Sequence, residues 1–159
     1  MSALNSEIFS DAESRIFGAR LTAIDVQSLC DRLDNLVGTK VAEVIMHNLE
    51  FRDGKLDAAR VRAEESKATL EEVVERLVRI VRLSGVGVSR VTLPESGKGP
   101  IAIEIENPSV KGTGGAAKAF AFSWWAGAFT SLLDKEMDVE NFVYYPDRDV
   151  MRCQIVPRG

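Results

Sequence analysis

Residue types that do chemistry occur in a few places along the chain. A glycine-rich loop of Lys111, Gly112, Thr113, Gly114 and Gly115, with Lys118 beyond it, leads into a helical pattern. Backbone amides at a helix N-terminus can hold an anion, aided by the helix dipole. The loop lacks the spacing of a Walker motif or a dinucleotide fingerprint and follows a predicted antiparallel hairpin, so a flexible strand-to-helix connection is favoured. His47, the only histidine, lies near Glu43 and Glu50 at helical spacing. One histidine without neighbouring cysteines is a poor metal ligand set, which leaves a surface or capping role. Nucleophilic catalysis by Cys30 or Cys153 would need a base and an orienting group. The spacing supplies neither, and both cysteines sit on apolar periodicity, as small core residues do. The acidic residues scatter over solvated helix faces and form no acid–base pair. No catalytic residue, metal site or cofactor is expected.

The most distinctive cluster is aromatic. Phe120, Phe122, Trp124, Trp125 and Phe129 lie among Ala117, Ala121, Ala126, Gly127 and Ala128. Adjacent helical residues differ by about 100° around the axis, so Trp124 and Trp125 cannot both point to one place. One enters the core while the other lines a cavity or a subunit contact. Ser123 and Gly127 lie four apart on one face and permit close approach of another backbone. Such a helix serves packing more often than it lines a ligand pocket. If a pocket exists, it is expected between the Ala116–Leu133 helix and the sheet, near Trp124 or Trp125. Phe120, Phe122, Ile103 and Ile105 are the other candidate wall residues.

The elements that position these residues follow from periodicity. Residues 1–15 read as a loose polar arm, and Ile16, Phe17 and Leu21 as a short strand or a packing arm. Val26, Leu29, Cys30, Leu33, Leu36 and Val37 share one helical face, and Gly38 supplies a stop. Thr39 can cap a second helix with Val41, Val44, Ile45, Met46 and Leu49. Asp53 and Gly54 are expected to break it, leaving a short solvated helix from Leu56 to Glu65. Thr69 and Glu72 form a capping box for a third strong helix through Leu70, Val73, Val74, Leu77, Ile80 and Val81, ended at Ser84 and Gly85. Strand composition follows at Val86–Leu93, Ile101–Glu106, Val139–Tyr145 and Val150–Val156. The predicted class is α+β, with N-terminal helices packed on one antiparallel sheet of about four strands, made of two hairpins flanking a helix.

Composition bounds the function. The 159 residues suit one domain with a buried core. Hydrophobic residues at 45% and charged residues at 28% are ordinary globular values. A net charge of -4 argues against nucleic acid or an anionic membrane surface as partner. Charges interrupt every apolar run before the roughly 20 residues of a membrane span. With no signal-peptide pattern and two distant cysteines, the cytoplasm is the expected location.

The C-terminal half resembles a known family. Ser123, Trp124, Trp125, Ala126 and Gly127 look like the small-x-x-x-Gly helix of the 4-vinyl reductase domain, also met in small hydrocarbon-binding proteins. In that family a Glu-x-x-Cys-x-x-x-Gly-x-x-x-Cys-x-Phe hairpin follows, and here the corresponding residues are Glu140, Val143, Asp147, Met151 and Cys153. Ile103 to Asn107 resembles its strand ending in asparagine, and Ser84 to Gly87 its helix-to-strand junction. The similarity runs from Val81 to Val156. Both family cysteines are replaced, by Val143 and Met151, and Cys153 falls where phenylalanine is usual. Any metal or redox role carried by those thiols is therefore not expected here. What the resemblance implies is a fold shared with transport-particle subunits and related to haem nitric-oxide-binding domains, an apolar cavity between helices and sheet, and dimerisation through helices. The favoured function is a non-catalytic homodimer that binds a small hydrophobic molecule as sensor or carrier. The alternative is a structural interaction module with no ligand.

Overall fold

A computed structural model describes residues 25–159. The expected arm over 1–15, and the strand or arm around Ile16, Phe17 and Leu21, lie outside the described residues. The described chain runs α1 (Asp25–Val37), α2 (Thr39–Glu64), α3 (Leu70–Leu83), β1 (Val88–Thr92), β2 (Ile101–Glu106), α4 (Gly115–Leu133), β3 (Met137–Tyr145) and β4 (Val150–Pro157). The fold is α+β, with one antiparallel sheet in the order β1-β2-β4-β3.

Two hairpins build the sheet, and β2 joins them by pairing with β4, Ile103 opposite Cys153 and Ile105 opposite Met151. Alternation sorts the faces. Ile101, Ile103, Ile105, Met151, Cys153 and Ile155 are buried, while Glu104, Arg152 and Gln154 occupy the intervening positions. On that outer face Tyr145 is flanked by the guanidinium groups of Arg148 and Arg152, 4.8 and 5.5 Å from the ring centroid. A register shift between Glu140 and Val143 puts Asn141 at φ 53°, where its amide donates to Gln154 Oε1 at 2.6 Å. Val143 is exposed and Met151 fully buried, so the two positions matched to the family's cysteines sit in different environments.

Helices α3 and α4 pack on the sheet's apolar face. α3 starts at the expected capping box, with the Thr69 amide donating to Glu72 Oε2 at 2.7 Å and the Glu72 amide to Thr69 Oγ1 at 3.2 Å. Val73, Val74, Leu77 and Val81 are its buried stripe. Burial of each contributes about 1.5–3 kcal/mol as an upper bound.

α2 departs from expectation. It is one helix of 26 residues, not two separated at Asp53 and Gly54. Gly54 permits close approach of α4 rather than breaking the helix. A Cβ there would lie 1.9 Å from the Trp124 carbonyl oxygen, and one on Gly127 would lie 2.0 Å from the Phe51 carbonyl oxygen. The two helices run parallel with their backbones in contact, Gly115 beside Thr39, Ser123 beside His47, and Gly127 beside Phe51. A glycine inside a helix costs about 1 kcal/mol relative to alanine. The close crossing offsets that cost by burying both backbones' apolar surroundings.

Candidate functional site

A pocket of about 260 Å³ opens where α2, the C-terminal end of α3 and α4 meet. The α2–α3 hairpin is pinned near its turn by Arg76, which donates to both Glu64 and Glu65. The pocket lies toward the hairpin's other end, where Glu50, Asp53 and Asp57 of α2 face Ile80 and Val81 of α3 and its C-cap Ser84. Phe120, Ala121, Trp124 and Trp125 of α4 form the third wall, and Val86 closes the side next to β1. Helical spacing explains the set: Glu50, Asp53 and Asp57 lie three and four apart on one face of α2, as Phe120, Ala121, Trp124 and Trp125 do on α4.

The aromatic wall is ordered by its own contacts. Trp124 and Trp125 meet edge to face with centroids 5.1 Å apart, and Trp125 stacks on Phe129 at 6.1 Å. The Trp124 indole N–H donates to Asp57 Oδ2 at 3.1 Å. Trp125 is 1% exposed, and its enclosed indole N–H has no hydrogen-bond partner among the described residues. A buried donor left unpaired costs roughly 1–3 kcal/mol, a cost that falls on the packed core because less than 1 Å² of this nitrogen is accessible.

The charge in the lining has one sign. Among the described residues, Glu50, Asp53 and Asp57 are accompanied there by no basic residue. Asp57 is engaged, holding Trp124 and pairing with Arg60 at 3.5 Å near the surface. Burial pushes the Glu50 carboxyl up to about 7, and the Asp53 charge adds to the shift. Burial and a neighbouring carboxylate both disfavour the charged form of this half-buried carboxyl.

The expected site residues divide. Phe120, Trp124 and Trp125 line this pocket. Phe122, Ile103 and Ile105 are enclosed in the packed core between α4 and the sheet, and the pocket lies on the helical side of α4 instead. The 100° offset does not keep the two tryptophans apart as expected: Trp125 is enclosed and Trp124 half-buried, yet both line this pocket. Glu50, Asp53 and Asp57 were not anticipated. Their row becomes visible in the sequence only when α2 is continued through Gly54.

The other chemistry-bearing residues have structural partners. At the glycine loop the α4 amide of Ala116 donates to Asp34 Oδ1 at 3.3 Å, so a carboxylate from α1 caps this helix. The Lys111 amide and carbonyl are both bonded to the Gln27 side chain, and Lys111 Nζ meets Asp149 Oδ2 at 2.7 Å. Lys118 pairs with Glu43 at 2.7 Å. His47 is at the α2–α4 contact, where Nδ1 is 2.8 Å from Ser123 Oγ, and is not a surface cap. Burial pushes the Cys30 thiol up to about 11, with Asp34, Asp31 and Glu50 adding to it. Burial raises Cys153 as well, and protonated thiols are inert as nucleophiles.

No family model matches the chain, and a search of curated proteins finds no match. Among solved structures it is similar to the phenol-responsive sensory domain of the transcription activator PoxR with phenol. The TM-score is 0.63 at 14% identity, covering 84% of this chain and 73% of that one. The likeness establishes a shared fold. Among the described residues, no helix is long and apolar enough to cross a membrane.

Proposed function

We propose that this chain is a non-catalytic sensory or carrier domain that binds one small hydrophobic, ring-sized molecule in the pocket between α2, α3 and α4. The observation that carries this is the pocket itself, about 260 Å³ and walled by Phe120, Trp124 and Trp125. A cavity of about 150 Å³ already accepts benzene, so one substituted ring fits. The fold likeness to a phenol-responsive domain supports the same reading, as does the resemblance to the 4-vinyl reductase family.

The domain works as a homodimer in this proposal. Leu36, Val41, Val44 and Leu49 on α1 and α2 are 82%, 51%, 59% and 57% exposed, and a symmetric contact is the simplest cover for them.

Both tryptophans of the chain line the pocket, so intrinsic fluorescence reports occupancy directly. Native mass spectrometry of the purified protein should show a retained small molecule, or titration with phenol or toluene should shift the tryptophan emission saturably. No retained mass and no saturable response to any small aromatic would overturn the proposal in favour of a ligand-free interaction module.

A further inference from the structure

We infer that the pocket couples occupancy to a proton: the Glu50 carboxyl in its wall takes one up as a small uncharged aromatic molecule enters, so binding weakens as pH rises. This rests on the proposed binding function and adds the regulation of that site. The basis is the place of the carboxyl in the cavity. Glu50 is half-buried in a lining otherwise made largely of Ile80, Val81, Phe120, Ala121 and the two tryptophans. Among the described residues it forms neither an ion pair nor a side-chain hydrogen bond. Its ionised form therefore depends on solvent reaching the pocket.

The surroundings offer no substitute for that solvent. On α2 itself, Asp53 repels the charge, Asp57 is held by Trp124 and Arg60, and His47, one turn earlier, is engaged by Ser123. α1 brings Cys30, a protonated thiol. The α3 and α4 side chains of the lining are not titratable, and Lys118 of α4 is paired with Glu43. A ring seated among Ile80, Val81, Phe120 and Trp124 displaces solvent from the carboxyl, which costs the ionised form far more than the neutral acid. The ligand thus prefers protonated Glu50 and, by linkage, raises its proton affinity further. Burial already holds the unliganded carboxyl at about 7. Affinity is then highest below that value, falls as pH rises through it, and levels off above the still higher value of the occupied site.

Toluene has no titratable group, and phenol stays uncharged below pH ~9, so either one isolates the protein's proton. Tryptophan fluorescence titrations of the full chain should show affinity for both falling about tenfold between about pH 5.5 and pH 8.5. Calorimetry near pH 7.5 in buffers of different ionisation enthalpy should register proton uptake on binding. Glu50→Gln should flatten the pH profile and abolish the uptake, whereas Asp53→Asn should keep both. Melting curves verify that each variant folds. Saturable binding that is independent of pH, or a profile that survives in Glu50→Gln, would overturn the proton coupling and leave the binding function standing. No saturable response to either compound at any pH, with no retained small molecule in the native protein, would overturn both.

Discussion

Replacing Glu50 by glutamine should stabilise the unliganded protein, and only above mildly acidic pH. The folded-state carboxyl sits at about 7 against an ordinary value of 4.5, chiefly because burial disfavours its charge and secondarily because Asp53 repels it. Asp57 lies on the same face, Cys30 of α1 is within Coulombic reach, and the α3 and α4 residues of the lining carry no titratable carboxyl, amine or imidazole. Because the folded pKa is raised, the folded state holds its proton more tightly than the unfolded chain. The penalty is therefore absent below the unfolded value, grows as pH rises through it, and is complete above the folded value. A shift from 4.5 to about 7 corresponds to roughly 3 kcal/mol at about 1.4 kcal/mol per unit. Solvent reaches part of this half-buried side chain, and screening reduces the figure to about 1–2 kcal/mol. Glutamine keeps the shape and removes the charge. Its melting temperature should exceed that of the parent by roughly 3–6 °C near pH 8, the gap closing toward pH 4.5. Paired thermal melts across that range decide it. Equal melting temperatures near pH 8, or a gap that widens toward acid, would refute the assignment of Glu50 as a desolvated, uncompensated carboxyl.

Three further outcomes are expected. Gly54→Ala should destabilise by roughly 1–3 kcal/mol or more in chemical denaturation, because its Cβ would lie 1.9 Å from the Trp124 carbonyl oxygen and backbone must move to admit it; an unchanged midpoint would mean the helices are not in contact there. Ala121→Phe places a ring in the pocket it lines and should abolish the fluorescence response to small aromatics at a cost under about 1 kcal/mol, whereas a packed site would lose roughly 1–3 kcal/mol through overpacking. Light scattering at micromolar concentration should give a dimer, and Val44→Glu on the exposed α2 face should shift it toward monomer without lowering the intramolecular helix content; a monomeric parent would remove the homodimer from the proposal.

Legibility in the sequence followed how local each signal was. The β2 alternation, the Thr69–Glu72 box and the turn glycines are decided within a few residues, and the corresponding elements agree to about two residues at their ends, the usual scatter of element boundaries. Gly54 was illegible because its reason lies 70 residues away. Next to Asp53 it carries the local signature of a breaker, yet what fixes it is the backbone of Trp124 passing at van der Waals range. That one misassignment also hid the site, since splitting α2 at Gly54 scatters Glu50, Asp53 and Asp57 over two short helices. The aromatics of α4 were legible as a group but not by direction. Phe122 and Trp125 both look inward by composition, and only the third dimension sends Phe122 to the sheet and Trp125 to the pocket.

The same crossing that obscured the pocket also makes it. Glycines at 54, 115 and 127 bring α2 and α4 to backbone contact along one line. Neighbouring positions on both helices must then point sideways, and on the side of α3 these are Glu50, Asp53 and Asp57 from α2 and Phe120, Trp124 and Trp125 from α4. Tight apposition on one line thus requires divergence beside it, because large side chains cannot interdigitate where the axes are closest. α3 would fill that divergence if it kept to α2 along its whole length, but its buried stripe of Val73, Val74, Leu77 and Val81 is committed to the sheet core. What α3 offers the gap at its C-terminal end is the flank of Val81, Ile80, which is 36% exposed, and the start of the Ser84–Gly85 turn. An unfilled apolar gap forfeits dispersion contacts, and an uncompensated carboxyl adds to that cost. A small apolar molecule seated there would restore those contacts, so the proposed ligand fills the gap that the crossing of α2 and α4 leaves.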